Sequence, residues 1–300
     1  MNDINKRAVA LGFFDGLHTA HMAVLKKALE QKKNGLVPAI LIFDRHPVEV
    51  ITGREVKRLM TDSKRDEMLL GMGFEIVRCK FGEIKDMSPA QFVEDILEKQ
   101  LNAGFVCCGF NYRFGKNGEG SGDMLRSLCA EKGIETDVCG EIRVNGKTVC
   151  STAIREAASQ GDMETVRLML GRPLEFCTSV FSGDKRGRLL GAPTANQYLP
   201  ENFVIPKFGV YASVVELDGK FYPAVTNIGN RPTFDGVSLR SETFIIGFSG
   251  DLYGRFIDVK LYAFIRSEMK FASFDELKEQ IALDAREAER LISELADDIC

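Results

Sequence analysis

This 300-residue sequence has no tryptophan, only three histidines and no Cys-x-x-Cys pair among its eight cysteines. Because zinc sites need clustered ligands, a structural zinc is not expected, and we interpret all eight cysteines as reduced thiols. No apolar run reaches the length of a membrane span. A net charge of −4 does not indicate a positively charged surface for nucleic acid or for an anionic membrane. The first residues lead into an apolar run without a signal-peptide pattern, so the expected compartment is the cytoplasm.

The order of the apolar runs predicts two domains. Over residues 1–173, strand-like runs alternate with helical patterns, which predicts an α/β domain on a doubly wound parallel sheet. Its strands are expected at 7–13, 38–43, 75–81 and 105–109. Over residues 174–300, strands follow one another without helices, at 176–181, 210–217, 220–227, 241–248 and 256–265. This second pattern predicts a small antiparallel β-barrel closed by a C-terminal helix near 274–295.

The three histidines fall near the predicted ends of two strands. His18 and His21 lie in the turn GFFDGLHTAH, between the first strand and a helix, and His46 follows the second strand in FDRHP. The carboxyl ends of strands in such sheets are where ligands bind. Two imidazoles beside a helix N-terminus suit a triphosphate, because they can donate hydrogen bonds to oxygens that gain charge during transfer at the α-phosphorus. The alternative is that both histidines are ordinary surface residues and the glycines only form a turn.

Two other stretches of the first half are candidates for the same site. The glycine-rich, aromatic segment Gly109–Gly115 is predicted to be a loop against which a flat ligand could lie, or whose rings simply pack inward. Ser151, Thr152 and Arg155 open a helix and combine hydroxyls, free N–H groups and a guanidinium. They could form a second phosphate cradle or an ordinary helix cap.

The second half carries a different set of candidates. The segment 183–191 is glycine-rich and basic, which suits phosphate binding. It runs into Thr194 and Asn196, two hard oxygen ligands that Mg²⁺ shared with ATP phosphates would accept. Glu242 is a single carboxylate among apolar strand residues, and is either a general base or a salt-bridged strand residue.

Taken in order, these motifs resemble the bacterial bifunctional riboflavin kinase/FMN adenylyltransferase family, the FAD synthetases. The matching stretches are GFFDGLHTAH, FDRHP, GFNYRFG and STAIR in the first half, and GRLLGAPTAN, NIGNRPTF, the Glu242 strand and GDLYG before IRSEMKF in the second. The resemblance covers nearly the whole chain. It implies a Rossmann-like nucleotidyltransferase domain followed by a barrel-shaped kinase domain, which together convert riboflavin to FMN and then FMN to FAD and pyrophosphate, using ATP and Mg²⁺.

The resemblance also implies residue roles. Catalytic roles go to Glu242, as the base for the ribityl 5′-hydroxyl, and to His18 and His21. In the adenylyltransferase, ATP is expected on Gly12, Phe13, Asp15, His18, His21, Ser151, Thr152 and Arg155, with Asn111 at the flavin. In the kinase, ATP is expected on Gly183, Lys185, Gly187, Gly191, Thr194 and Asn196, the last two also binding Mg²⁺, with Arg266 and Phe271 near the flavin.

The chain departs from the family pattern at four positions. Ala20 replaces the glycine of HxGH, Arg45 replaces a proline, Ala153 stands where arginine often follows Ser-Thr, and Ala192 replaces a phenylalanine. Three of the four fall in the adenylyltransferase. A riboflavin kinase with an impaired first domain is therefore an alternative, and a non-catalytic regulator that binds flavin or nucleotide is a third interpretation.

Overall fold

The computed structural model describes residues 6–182, 194–233 and 236–295. Its internal contacts divide the chain into two compact units, residues 1–151 and 152–300. The domain boundary after residue 173 that the sequence suggests stays a prediction.

The first unit contains a five-stranded parallel sheet in the order β3-β2-β1-β4-β5. Its strands are β1 Arg7–Leu11, β2 Val37–Phe43, β3 Glu75–Cys79, β4 Ala103–Gly109 and β5 Glu135–Cys139. The predicted doubly wound sheet is confirmed, although β5 was not predicted as a strand. The strand order reverses between β1 and β4, so the ligand-binding crevice of such a sheet lies where these two strands end.

Helices connect these strands, and several begin at capping residues that can be recognised in the sequence. The helices are α1 Thr19–Glu30, α2 Pro47–Thr52, α3 Asp62–Gly71, α4 Phe81–Ile84, α5 Pro89–Gln91 (continuing as a π-helix, Phe92–Gln100) and α6 Gly122–Glu131. Short 3₁₀ turns cover Asp15–Leu17, Gln31–Asn34 and Lys116–Gly118, and a small hairpin pairs β6 Arg143–Val144 with β7 Lys147–Thr148. The Thr61 hydroxyl accepts from the Lys64 N–H, as expected of a cap on α3.

Both faces of the parallel sheet are buried, because helices cover each side. Successive β1 residues enter different apolar clusters: Val9 and Leu11 lie in one, Ala8 and Ala10 in the other. Cys107 and Cys108 divide in the same way, because neighbouring residues on a strand point to opposite faces. Burial raises the pKa of Cys108 to about 12, so this thiol is a core residue and not a nucleophile.

The second unit contains a six-stranded antiparallel sheet in the order β8-β13-β10-β11-β12-β9. Its strands are β8 Leu174–Ser179, β9 Thr194–Tyr198, β10 Gly209–Leu217, β11 Lys220–Thr233, β12 Gly236–Ile245 and β13 Phe256–Arg266. The sheet curls until its edges meet, where Phe181 bridges Asn196 and the Thr178 hydroxyl donates to the Tyr198 carbonyl. The predicted barrel is confirmed, but β9 was missed as a strand.

The part of the second unit that the structure describes contains α7 Ser151–Gln160 (whose first residue falls in the first unit), α8 Met163–Leu170 and α9 Phe274–Glu294. Ser273 and Glu276 have the spacing of a capping box, and the Ser273 hydroxyl does accept from the Glu276 N–H at the start of α9. The apolar spacing of this helix predicts Phe274 on its core face, but Phe274 is 63% exposed, because it lies in the first turn, ahead of the buried positions Asp284, Ala288 and Ile292. Within the described ranges, no helix is both long and apolar enough to cross a bilayer.

Hydroxyl side chains line part of the barrel interior. Ser213 and Thr226 are joined at 2.7 Å between their hydroxyl oxygens, and Thr226 and Thr243 at 3.0 Å. All three side chains are fully buried. Residues that alternate with them on β11 and β12 therefore point to the other face of the sheet.

Candidate active sites

The first candidate site begins where β1 ends and α1 starts. His18 is the N-cap residue of α1, and its Nδ1 accepts a hydrogen bond from the His21 backbone N–H at 3.3 Å. A neutral His18 therefore carries its proton on Nε2. The cap satisfies one of the N–H groups that the first turn of a helix leaves unpaired. It also fixes the His18 ring next to the positive end of the helix.

The His21 ring stacks on the His18 ring, with centroids 3.5 Å apart and planes 14° apart. The two imidazoles therefore face the same way. The Nδ1 atom of His21 is buried and has no hydrogen-bond partner in the described part of the chain. Burial, and secondarily the adjacent His18, lower the pKa of His21 well below its usual value. At neutral pH, His21 is therefore an uncharged imidazole with an unused polar atom.

The turn before these histidines is held in an uncommon backbone conformation. Phe14 and Leu17 have φ angles of 58° and 42°, in the left-handed region that side chains other than glycine disfavour. Both side chains are buried, and this packing holds the turn in place. The Asp15 carboxylate accepts from the Leu59 N–H at 2.8 Å, and the Asp15 carbonyl accepts from the Ser151 hydroxyl at 3.1 Å. A hydrogen bond therefore connects Asp15 in the turn with Ser151, and both are predicted ATP-binding residues.

His46 lies at the neighbouring strand end, as predicted. It is the N-cap of α2, where its Nδ1 accepts from the Val48 N–H at 3.2 Å. Its ring meets the Phe13 ring edge-on at 4.4 Å. Phe13 also lies beneath Arg58 and Arg65, at 5.0 and 5.6 Å from its ring centroid. These two arginines were not predicted, since nothing in the sequence places residues 58–65 beside the first turn.

The loop after β4 divides into an inward and an outward part. Phe114 is buried, and Tyr112 stacks near it with ring centroids 6.0 Å apart, so these rings belong to the core. For them the inward-packing alternative is correct. Phe110 and Asn111 are exposed where β4 ends, at the switch point of the sheet. Their side chains are therefore placed to meet a ligand at that edge.

The Ser-Thr-x-x-Arg stretch lies at the start of α7. Because the helix begins at Ser151, Ser151 and Thr152 lie inside its first turn and do not precede it as caps. The Ser151 hydroxyl is used by the Asp15 carbonyl. Thr152 is exposed and Arg155 is half-buried.

The second candidate site lies on β9 and β12. Asn196 and Glu242 are direct partners in the register of these two strands, although 46 positions separate them in the sequence. Both are half-buried, as is Thr194, while the alternating residues Ala195 and Thr243 are buried. The three polar side chains therefore share one face of the sheet.

The amide of Asn196 is oriented by its own strand. Its Nδ2 donates to the Thr194 carbonyl at 3.2 Å and contacts the Thr194 hydroxyl at 3.4 Å. This turns the amide oxygen Oδ1 away from Thr194, where it can act as a ligand. Within the described ranges there is no cluster of three or more His, Cys, Asp or Glu that could hold a metal. A cation here would be shared between these neutral oxygens and a ligand's own phosphates.

The structure describes only some of the remaining predicted site residues of the second unit. Gly183, Lys185, Gly187 and Gly191, like Ala192, lie outside the described residues. Arg266 lies over the Phe271 ring at 5.9 Å, which brings the two predicted flavin residues together. The Arg266 guanidinium also forms a bidentate ion pair with the Asp284 carboxylate, with N–O distances of 2.9 and 2.7 Å. Asp284 was missed, because a buried aspartate on an amphipathic helix reads as a surface residue.

Comparison with known proteins agrees with this arrangement. The family model described as FAD synthetase matches residues 1–153, and the riboflavin kinase model matches residues 170–292. Bifunctional riboflavin kinase/FMN adenylyltransferases from Listeria monocytogenes and Bacillus subtilis are each 35% identical, over 98% and 97% of this chain and 95% and 94% of theirs. A solved macrolide-efflux protein from Streptococcus pneumoniae has a TM-score of 0.87 at 27% identity, over 96% of this chain and 95% of that one.

Fold and sites together define a two-domain group-transfer enzyme, with a nucleotidyltransferase-type sheet followed by a kinase-type barrel. The chain belongs to the bifunctional riboflavin kinase/FMN adenylyltransferase family and carries both enzymatic domains of that family. Enzymes of this family use ATP and make FMN and FAD. The predicted family and the two activities are confirmed, and because both models match, the bifunctional interpretation is favoured over the kinase-only one.

Proposed function

We propose that the second unit phosphorylates riboflavin with ATP to give FMN, and that the first unit adenylylates FMN with a second ATP to give FAD and pyrophosphate. The observation that carries the residue assignment is the pairing of Asn196 with Glu242 across β9 and β12. It supports a proton acceptor placed directly beside the ligands of a metal–phosphate complex.

In the kinase reaction, Glu242 accepts the proton of the ribityl 5′-hydroxyl. The 5′-oxygen attacks the γ-phosphorus, the bond to the β–γ bridging oxygen breaks, and ADP leaves. The Thr194 hydroxyl and the Asn196 Oδ1 are hard oxygens that fit Mg²⁺, and they would hold it together with the ATP phosphates. Bound there, the ion would offset the negative charge of the transferring phosphoryl group. Arg266 and Phe271 would contact the flavin.

In the adenylyltransferase reaction, a phosphate oxygen of FMN attacks the α-phosphorus of ATP and pyrophosphate leaves. No protein nucleophile is needed, so catalysis consists of positioning and of stabilising the developing charge. His18 and His21 supply that stabilisation from the start of α1, where the helix dipole also favours an anion. The exposed Asn111 would contact the flavin at the switch point. The turn that carries Gly12, Phe13 and Asp15 would complete the ATP site together with Ser151, while Thr152 and Arg155 stay predictions from the sequence.

Two further proposals rest on the sequence. The net charge of −4 supports small-molecule substrates over nucleic acid or a membrane as partners. We also place the enzyme in the cytoplasm.

The direct test supplies purified protein with riboflavin, ATP and Mg²⁺ and separates the products by chromatography. We expect FAD, with FMN as an intermediate. FMN as the sole product would support the kinase-only interpretation. Binding without turnover would support the non-catalytic regulator.

The metal ligands can be tested separately. Thr194→Ala and Asn196→Ala should each shift the Mg²⁺ dependence of riboflavin phosphorylation to higher concentration, because each variant removes one oxygen ligand. Titrating Mg²⁺ at fixed ATP measures this. Titration curves that coincide for the wild type and both variants would remove the ligand assignment.

The departure at residue 20 also yields a prediction. Ala20 is the second residue of α1, where alanine is preferred over glycine by up to about 1 kcal/mol. Ala20→Gly should therefore lower the unfolding free energy slightly and leave FAD synthesis near the wild-type rate. Thermal unfolding and the FMN adenylylation rate measure the two quantities. A large increase in FAD synthesis would show that the alanine methyl crowds the triphosphate.

A further inference from the structure

One polar side chain beside Glu242 has no role in the mechanism above. Asn227 on β11 is the register partner of Glu242 on the side opposite to Asn196. The three residues form a row across β9, β12 and β11, in the order Asn196, Glu242, Asn227. Asn227 is half-buried, while Thr226 and Ile228 on either side of it are fully buried. Its side chain therefore lies on the same face as the other two.

The register places these side chains within reach of one small ligand. Directly opposite residues of an antiparallel pair have Cβ atoms about 4.5–5.5 Å apart. The Asn227 side chain is half-buried, and its amide offers two donors and one acceptor at this face of the sheet. This position therefore suits a ligand that both donates and accepts hydrogen bonds.

The order of Asn196, Glu242 and Asn227 across the strands indicates the side from which each substrate approaches Glu242. The phosphate and metal ligands Thr194 and Asn196 lie on the β9 side of Glu242, so the γ-phosphate approaches from that side. The attacking alcohol must then enter from the β11 side, where Asn227 lies. Riboflavin presents its 5′-hydroxyl at the end of a ribityl chain, and the neighbouring carbon carries the 4′-hydroxyl. A hydroxyl both donates and accepts, as a carboxamide does.

We propose that Asn227 binds the ribityl chain of riboflavin, through hydrogen bonds between its amide and the 4′-hydroxyl. This contact places the 5′-oxygen against Glu242 and makes the kinase selective for a polyol over a plain alkyl alcohol. The inference rests on the proposed role of Glu242 as the base.

The test compares riboflavin with a flavin whose N10 substituent is a 5-hydroxypentyl chain. This analogue keeps the reacting hydroxyl and lacks the other three. With riboflavin as substrate, Asn227→Ala should lower kcat/KM about tenfold. This is the effect expected when the hydrogen bonds between the amide and the ribityl chain are lost. With the analogue, the same substitution should change kcat/KM by less than about twofold, because the contact is already absent. Asn227→Ser, which keeps a short hydroxyl, should recover part of the loss on riboflavin.

Two results would overturn the proposal: an equal loss of kcat/KM on both substrates, or no loss on riboflavin. The KM for ATP and the adenylylation of supplied FMN serve as controls and should not change, and thermal unfolding checks that each variant is folded. If Asn227→Ala does not fold, the two-substrate comparison is made with Asn227→Ser. Glu242→Gln is assayed alongside: activity retained there removes the base assignment, whereas equal losses for the Asn227 variant remove only the ribityl contact.

Discussion

Glu242→Gln should reduce the rate of FMN formation from riboflavin by about 10²–10⁴, the usual contribution of a positioned general base. The substitution keeps the size and the polar character of a half-buried strand residue, so the barrel should fold normally. In the proposed mechanism, it removes the negative oxygen that would accept the 5′-hydroxyl proton. Steady-state phosphorylation of riboflavin measures the loss.

The control is built into the same chain. Adenylylation of supplied FMN should continue at the wild-type rate in Glu242→Gln, because that reaction is assigned to the first unit. Kinase activity near the wild-type level would mean that Glu242 is only a strand residue with a structural partner.

His21→Ala should reduce FAD formation from FMN by about 10²–10³, the typical effect of removing one preorganised donor from a site where charge develops. The imidazole is stacked on His18, and its Nδ1 is buried without a partner among the described residues. Riboflavin phosphorylation should not change. The rate of FAD formation from FMN and ATP is the measurement.

A second substitution at this position separates hydrogen bonding from charge. Because burial and His18 lower the pKa of His21, the free enzyme holds this ring neutral at pH 7. His21→Gln keeps a neutral donor and should retain clearly more activity than His21→Ala. If glutamine and alanine were equally inactive, the reaction would need a protonated imidazole, and if both were fully active, His21 would have no catalytic role.

The sequence predicted what depends on local pattern. Strand–helix alternation gave the parallel sheet, and His18, His21 and His46 fell at neighbouring strand ends because parallel strands place their carboxyl ends together. The caps at Thr61 and Ser273 were legible because they depend on residues only three positions apart.

What the sequence could not predict depends on distant pairing. β9 was missed because its five residues include polar side chains and show no apolar run. The pairing of Asn196 with Glu242, the position of Arg58 over Phe13 and the ion pair of Arg266 with Asp284 all depend on register or on packing between elements. The family resemblance named most of these residues, but only the structure brings Asn227 into the row with Glu242.

The central claim is that one chain holds two separate catalytic sites, and mixing two inactive variants tests it most directly. Glu242→Gln and His21→Ala are each supplied with riboflavin, ATP and Mg²⁺, alone and in equimolar mixture. Alone, the first should yield little FMN and the second should accumulate FMN without FAD. The mixture should form FAD, because FMN made by one variant is adenylylated by the other. A mixture that accumulates FMN without forming FAD, or that forms neither product, would contradict the assignment of the two reactions to two sites.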